Sequence, residues 1–252
     1  MDKKDIVKRF SRFASSYKGD VQRIIGEMLI GMLNSKEDFS LILEIGCGNG
    51  ATTRFIKERF SNAKIVSLDI SEKMVMLAKD ITDISFIVAD GERFWFKERF
   101  DIIISNLVFQ WFSNLKDSLI LYKSILREDG ILLFSIFGYN TLWELREASR
   151  ELLKSDIKTK SSYFLKKEEL IEMLGDKFTI KENFIEKSYT SIMDLLYSIR
   201  YAGGLDERYI WTKGMIKKLD SIYRNRFKEI RATYHTFLCK GKIGYLPSPI
   251  IS

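Results

Sequence analysis

Leu41-Ile42-Leu43-Glu44-Ile45-Gly46-Cys47-Gly48-Asn49-Gly50 is a short apolar run that delivers an acidic residue into a loop with glycine at every second position. Glycines spaced this way let the backbone turn tightly and admit a ligand where a β-carbon would block it, and Ala51 to Phe60 reads as a helix that starts at the turn. The order differs from Gly-x-Gly-x-x-Gly, in which a helix N-terminus receives a pyrophosphate. Here it is Glu-x-Gly-x-Gly-x-Gly, and Glu44 just before the loop repels phosphate and suits a cation. Since glycine is common wherever a strand turns into a helix, the flanking residues must carry the assignment.

They do so in series. Lys64 to Asp69 is a second β-like run ending in a carboxylate about twenty residues after the loop, where a parallel βαβ unit places an acid on ribose hydroxyls. Ile84 to Val88 is a third and leads into Ala89-Asp90-Gly91, where Asp90 also reads as a simple turn former. Phe100 to Asn106 is a buried-type strand with polar residues at its carboxyl end, the position of ligand crevices in open α/β sheets. Four strand ends thus point at one site. Leu115 to Leu126 reads as a helix, Asp129-Gly130 as a turn and Ile131 to Phe137 as a fifth buried strand. Thr141 to Leu153 is a further helix, Lys177 to Thr190 a sixth strand and Tyr234 to Lys242 a seventh that pairs near it. The expected architecture is α/β: a doubly wound, mostly parallel seven-stranded sheet with N-terminal helices and a helical insertion before the last strand. Residues 1–252 then form a single domain, with 1–40 as a helical cover (Ile6, Phe10 and Phe13 at helical spacing, and Val21 to Leu33 amphipathic), 41–137 as the cofactor-binding core and 191–231 as a substrate-side insertion.

The chain has 252 residues, 46% hydrophobic and 30% charged, an ordinary balance for a soluble globular protein, and no apolar stretch of membrane-spanning length. The charged start, Met1-Asp2-Lys3-Lys4-Asp5, has no apolar region behind it, so cytoplasm is the expected compartment and no membrane partner is expected. Cys47 and Cys239 offer neither metal-ligand spacing nor a disulfide framework, and no metal is expected. The net charge of +7 fits a nucleic acid, an acidic protein or mere solubility. Lys213, Lys217, Lys218, Arg224, Arg226, Lys228 and Arg231 crowd one helical-looking stretch, readable as a solvated face or as a docking patch. Both prolines, Pro247 and Pro249, sit in the tail.

The loop and its acidic strand ends resemble the class I S-adenosylmethionine-dependent methyltransferases, whose cofactor carries an ammonium and a sulfonium and no phosphate. That resemblance implies S-adenosyl-L-methionine as cofactor and S-adenosyl-L-homocysteine as product. Glu44, Gly46, Cys47, Gly48, Gly50, Asp69, Ile70, Asp90, Gly91, Asn106, Gln110 and Arg12 would then bind the cofactor, Asp90 on the adenine amino group. Phe10-Ser11-Arg12-Phe13 through Tyr17, Ser105-Asn106-Leu107-Val108-Phe109-Gln110-Trp111, Arg200-Tyr201-Ala202-Gly203-Gly204 and Thr233-Tyr234-His235-Thr236-Phe237 narrow it further. Together with the loop, from about Val7 to Lys242, they resemble the malonyl-[acyl-carrier protein] O-methyltransferase family of biotin synthesis. Gly204 stands where alanine is usual in that family.

The resemblance implies methylation of the free carboxylate of a malonyl thioester. A carboxylate is already ionised at neutral pH and needs no general base, which agrees with a chain holding one histidine and no evident acid pair at the crevice. Arg200 would orient the malonyl carboxylate through a two-pronged pair, or be a surface arginine. Tyr17 would close over the cofactor, and Trp111 would face the sulfonium or belong to the core. Gln110 would meet cofactor or acceptor, or cap the following turn, and His235 reads as structural more readily than as catalytic. The expected partner is an acidic acyl-carrier protein, with malonyl-coenzyme A as the other carrier, and a monomer is favoured. Rival readings are a methyltransferase for a quinone precursor or an aconitate-like acid, and an inactive cofactor- or carrier-binding module. A nucleic-acid methyltransferase is disfavoured because Ser105-Asn106-Leu107-Val108 stands in place of Asn/Asp-Pro-Pro-Tyr/Phe, and no nucleic acid is expected. A dehydrogenase is disfavoured by the glycine order.

Overall fold

The computed structural model describes residues 2–14, 19–154, 163–201 and 211–242. Helices α1 (Lys3–Phe13) and α2 (Asp20–Ile30) precede the alternating run β1 (Leu41–Ile45), α3 (Ala51–Arg59), β2 (Lys64–Asp69), α4 (Glu72–Ala78), β3 (Ile84–Val88), β4 (Phe100–Asn106), α5 (Leu115–Ile125) and β5 (Leu126–Phe137). Then follow α6 (Trp143–Leu153), α7 (Lys167–Leu174), β6 (Phe178–Tyr189), α8 (Ile192–Tyr201), α9 (Lys213–Phe227) and β7 (Ile230–Lys242). The seven strands hydrogen-bond in the order β3-β2-β1-β4-β5-β7-β6, the expected doubly wound sheet. The pairs β1 with β2, β1 with β4, β2 with β3 and β4 with β5 are parallel.

The described residues fall into two compact units, one drawn from 2–136, 168–181 and 238–242, the other from 137–167 and 182–237. In the first, Ile42, Leu43, Ile45, Ile102, Ile103, Ile104, Leu132, Leu133 and Phe134 are buried, as strands covered on both faces require. Its helices start where side chains satisfy their free N–H groups. Asp2 caps α1, Ser71 caps α4 and Asn114 caps α5, each accepting from a backbone N–H two or three residues on.

Two boundaries differ from expectation by more than three residues. The turn foreseen at Asp129-Gly130 lies inside β5, which already begins at Leu126. Leu126 pairs with Phe100, but the next pair is Ile131 with Ile102, so the segment between is looped out of register. Arg127 folds back there onto Asp101, which also accepts from the Ser40 and Leu41 N–H groups at 2.8 Å. β7 starts at Ile230 rather than Tyr234, because Arg231 and Thr233 hydrogen-bond or ion-pair toward buried Glu144 and hold the chain extended earlier. The insertion's helical part is accordingly α8 and α9.

Candidate active site

In the first unit the loop after β1 is closed by its own backbone. Gly46 and Cys47 both donate to the Leu68 carbonyl, at 2.7 and 3.0 Å, and Gly50 donates to the Cys47 carbonyl at 2.9 Å. Gly48 donates to Asp69 Oδ2 at 3.0 Å, and Ala51 to Asn49 Oδ1 at 3.3 Å. A phosphate cradle needs such N–H groups free. Here they are committed, so the loop's remaining hydrogen-bonding capacity is mostly carbonyl, which suits a cation. Gly46 holds φ +78°, and a β-carbon there would sit 2.2 Å from Val108 Cγ2. Gly48 holds φ +55° and a β-carbon would meet nothing within 4 Å, so its bare Cα borders open space.

Glu44 is the loop's electrostatic anchor. It is 1% exposed, and its Oε2 accepts from Thr53 Oγ1 at 2.6 Å and Ser67 Oγ at 2.7 Å, while Oε1 is buried with no hydrogen-bond partner. Burial pushes its carboxyl up to about 7, against those two hydrogen bonds and with a further push from Asp69. Cys47 is also buried, and burial pushes its thiol up, so it acts as an unreactive filler.

Asp69 ends β2 with both oxygens engaged, Oδ2 by Gly48 and Oδ1 by the Ser71 N–H at 2.8 Å. Burial raises its carboxyl above the usual range, against hydrogen bonds from Ser71, Gly48 and Ile70. Each carboxylate oxygen retains a second lone pair. Asp90 Oδ1 accepts from the Glu92 N–H at 3.0 Å and from Lys3 Nζ at 2.9 Å. Lys3 also pairs with Glu92 and lies 5.1 Å from the Phe112 ring centroid. Gly91 is packed under the site, where a β-carbon would lie 2.8 Å from Ile45 and 3.0 Å from Phe112.

Helix α1 is therefore tied to this end of the sheet at both of its ends. Besides Lys3, Ser11 Oγ lies 2.9 Å from Ser71 Oγ, and Phe10 meets Trp111 edge-on at 5.5 Å between ring centroids. Arg12 is exposed on the same helix. Trp111 closes a short 3-10 turn, Phe109–Trp111, in which the Gln110 amide donates to the Leu107 carbonyl at 2.6 Å and its Oε1 is buried without a partner. That bond reaches back to the residue ahead of the turn rather than capping the turn that follows. Leu107 itself holds φ +56°, a strained conformation for leucine, where the chain leaves β4.

Asn106 is placed at the end of β4 but turned to structural use. Its Nδ2 donates to the Gln22 carbonyl of α2 at 2.8 Å and to Thr52 Oγ1 at 2.9 Å, and its Oδ1 accepts from Ser135 Oγ at 2.6 Å. One amide thus joins α2, α3, β4 and β5. Gly26 permits this approach, since a β-carbon on it would lie 2.7 Å from Thr52 Oγ1.

The structure brings together Glu44, the glycine loop, Asp69, Ile70, Asp90, Gly91, Asn106, Gln110 and Trp111 around the carboxyl ends of β1 to β4. Tyr17 lies outside the described residues, as do Gly203 and Gly204. Arg200 falls near the end of α8, and its side chain is likewise outside them. In the second unit, His235 is 3% exposed, accepts at Nδ1 from the Asn140 N–H at 3.2 Å and faces Glu182 Oε1 at 2.9 Å through Nε2. It stacks on Phe184 with rings 4° apart, and burial lowers its pKa against the pull of Glu182. Both nitrogens are used, as the structural reading expects. Sequence reasoning missed Lys3, Thr53, Ser67 and Ser135, and only the two serines carried a signal, as polar residues inside apolar strand runs. Among the described residues no group of three or more His, Cys, Asp or Glu could hold a metal ion, and no helix is long and apolar enough to cross a membrane.

Comparison with known proteins extends this geometry. Residues 42–130 match the family described as a methyltransferase domain. The chain is 33% identical over 258 residues to malonyl-[acyl-carrier protein] O-methyltransferase 2 of Ilyobacter polytropus, covering 96% of this chain and 99% of that protein. It is also 33% identical over 250 residues to malonyl-[acyl-carrier protein] O-methyltransferase of Bacillus cereus, covering 90% and 93%. Among solved structures, the YcgJ protein of Bacillus subtilis is similar with a TM-score of 0.59 at 16% identity, over 86% of this chain and 97% of that one. The plantazolicin methyltransferase BpumL, in complex with a triazolic desmethylPZN analog and SAH, is similar with a TM-score of 0.53 at 18% identity, over 93% and 90%. These structural likenesses are evidence for the fold.

Proposed function

The chain belongs to the malonyl-[acyl-carrier protein] O-methyltransferase family, and from that premise we propose that it methylates the free carboxylate of a malonyl thioester carried on an acyl-carrier protein, an early step of biotin synthesis. The observation that carries the reading is the end-to-end match to a protein of that name, 33% identical over 99% of its length. S-adenosylmethionine is the methyl donor in this reading, and the residues of the loop fit it. Their N–H groups are committed within the chain, leaving carbonyls for an ammonium, and the open space at Gly48 admits close approach. Asp69 would take the ribose hydroxyls on its remaining lone pairs and Asp90 the adenine amino group.

When bound, the cofactor supplies an electrophilic methyl on a sulfonium. The chain's part is to hold the acceptor in line, exclude water and leave the carboxylate ionised, which together recover much of a bimolecular barrier. No proton need move, so the absence of a free imidazole at the site is no obstacle: His235 has both ring nitrogens hydrogen-bonded elsewhere. Arg200 is the proposed partner of the malonyl carboxylate, Tyr17 the proposed closure over the cofactor, and Trp111, backed by Phe10, the proposed wall of the crevice.

The test is transfer of labelled methyl from S-adenosylmethionine to malonyl-[acyl-carrier protein], with malonyl-coenzyme A and acetyl-[acyl-carrier protein] alongside. Base-labile label on the malonyl thioester and none on the acetyl control is the expected result. Cofactor binding without transfer to either malonyl thioester would overturn the acceptor and leave the methyltransferase.

A further inference from the structure

The first turn of helix α9 runs against the helix's own electrostatics, although its last turn, with Arg224 and Arg226, does not. The positive end of a helix macrodipole lies at its N-terminus, where acids stabilise and cations destabilise. α9 has no acid in its first turn; it begins with Lys213 behind the Thr212 cap and continues with Lys217 and Lys218. All three lysines are exposed.

The cations further along the helix are treated differently. Arg224 pairs with Asp220 one turn back at 2.8 Å, and Arg226 pairs with Glu147 at 3.2 Å and Glu151 at 3.6 Å. Arg231, beyond the helix, stands among Glu144, Glu186 and Glu229. Lys213, Lys217 and Lys218 make no ion pair or hydrogen bond among the described residues. The helix offers them little: Gly214, Ser221 and Asn225 share their solvent face, and the acid within reach, Asp220, already holds Arg224. On the opposite face Leu219 and Tyr223 are buried, which fixes the lysine row outward. The basic stretch thus divides into three arginines paired with the chain's own acids and lysines without such partners among the described residues: Lys228 at the C-terminal end, where a cation is favoured, and Lys213, Lys217 and Lys218 along the first two turns, Lys213 within the unfavourable first one.

We infer that Lys213, Lys217 and Lys218 form the docking surface for the acyl-carrier protein, an inference that rests on the malonyl-thioester reading above. An acidic protein laid along this row would meet three cations and the positive end of the helix together, which supplies the compensation that the chain lacks. Charge complementarity of this kind acts mainly on the association rate and fades with added salt.

The test compares kcat/KM for malonyl-[acyl-carrier protein] and malonyl-coenzyme A in the wild type, the triple variant Lys213→Glu, Lys217→Glu, Lys218→Glu, and the double variant Asp220→Ala, Arg224→Ala, which removes a neutral pair from the same helix. At low ionic strength the triple variant should lose on the order of tenfold with the carrier-protein substrate. It should stay within about twofold of wild type with malonyl-coenzyme A, and its Tm should be unchanged or raised, because acids suit that end of the helix. The double variant should match wild type on both substrates. An unchanged kcat/KM for the carrier protein in the triple variant overturns the docking surface, and so does an equal loss with malonyl-coenzyme A. Should the wild type methylate no malonyl thioester, the functional reading fails, and anisotropy of fluorescein-labelled malonyl-[acyl-carrier protein] then decides the docking surface by itself. Binding lost in the triple variant sustains it, and binding retained overturns it. Tighter lysine-dependent binding of duplex DNA or of phosphatidylglycerol vesicles than of the carrier protein would assign the row to a different partner and overturn the proposal.

Discussion

Replacing Gly46 by alanine separates the two reasons for glycine in the loop. At φ +78° an L-residue costs about 1–2 kcal/mol. The new methyl would also lie 2.2 Å from Val108 Cγ2 and 3.1 Å from Cγ1, and Val108 sits in the turn that carries Gln110 and Trp111, so it cannot yield freely. Overpacking of that kind adds about 1–3 kcal/mol, for a total of about 2–5 kcal/mol. Gly48→Ala is the internal comparison: φ is +55° but no atom lies within 4 Å, so only the backbone cost of about 1–2 kcal/mol applies. Urea unfolding followed by circular dichroism, compared at equal m values, should therefore rank Gly46→Ala well below Gly48→Ala in stability. Calorimetry with S-adenosylmethionine should give the reverse emphasis for Gly48→Ala, with affinity down about tenfold or more, since its methyl fills space that the ligand needs. Equal stability losses in the two variants, or normal cofactor binding by Gly48→Ala, would refute this account of the loop.

Glu44 predicts a pH dependence with a definite sign. Its carboxyl is raised from 4.5 to about 7 in the folded chain. Its stabilising contribution is therefore complete below the unfolded value and lost as pH rises through 7, by about 3 kcal/mol in all. Unfolding measured at acid and mildly alkaline pH should show that slope, and Glu44→Gln should flatten it. Asn106→Leu strips partners from the half-buried Gln22 carbonyl and from Thr52 and Ser135, both buried, and should cost about 2–4 kcal/mol, with hydrogen exchange rising first in α2. Lys3→Ala removes ion pairs to both Asp90 and Glu92, whose side chains are 20% and 9% exposed, so stability should fall by about 1–2 kcal/mol. Cofactor affinity should fall a few-fold at low salt and recover toward wild type in Lys3→Arg, as isothermal titration would show.

What the sequence made legible was whatever depends on periodicity and on strand ends. The first four strands, the seven-strand doubly wound architecture and the convergence of Glu44, Asp69, Asp90 and Asn106 on one end follow from apolar runs that terminate in polar residues. The direction of a polar side chain did not follow. Asn106 looked like a ligand contact, yet its amide is held by three elements that sequence spacing cannot bring together. The start of β5 was misplaced because Asp129-Gly130 has turn chemistry whether it ends a helix or interrupts a strand, and only pairing with β4 distinguishes the two. Ser67 and Ser135 were readable in principle: each faces its polar partner in register across the sheet, Glu44 opposite Ser67 and Asn106 opposite Ser135. Lys3 carried no signal, since a lysine near a chain start is ordinary and its partner Asp90 lies 87 residues away.

That separation bears on how the chain assembles. α1 and α2 are made early, yet what holds them comes late: Lys3 waits for Asp90, and Gln22 waits for Asn106, 84 residues on. Val21, Ile25 and Leu29 of α2, all buried in the finished protein, can pack on α3 first, and their cover is completed only when β4 has joined β1. Closing loops of that length is slow compared with forming the local β1-α3-β2 unit. The cover is thus locked only after β3 and β4 have been added to that unit, and the interval before then is when the early helices of the nascent chain are most exposed to aggregation.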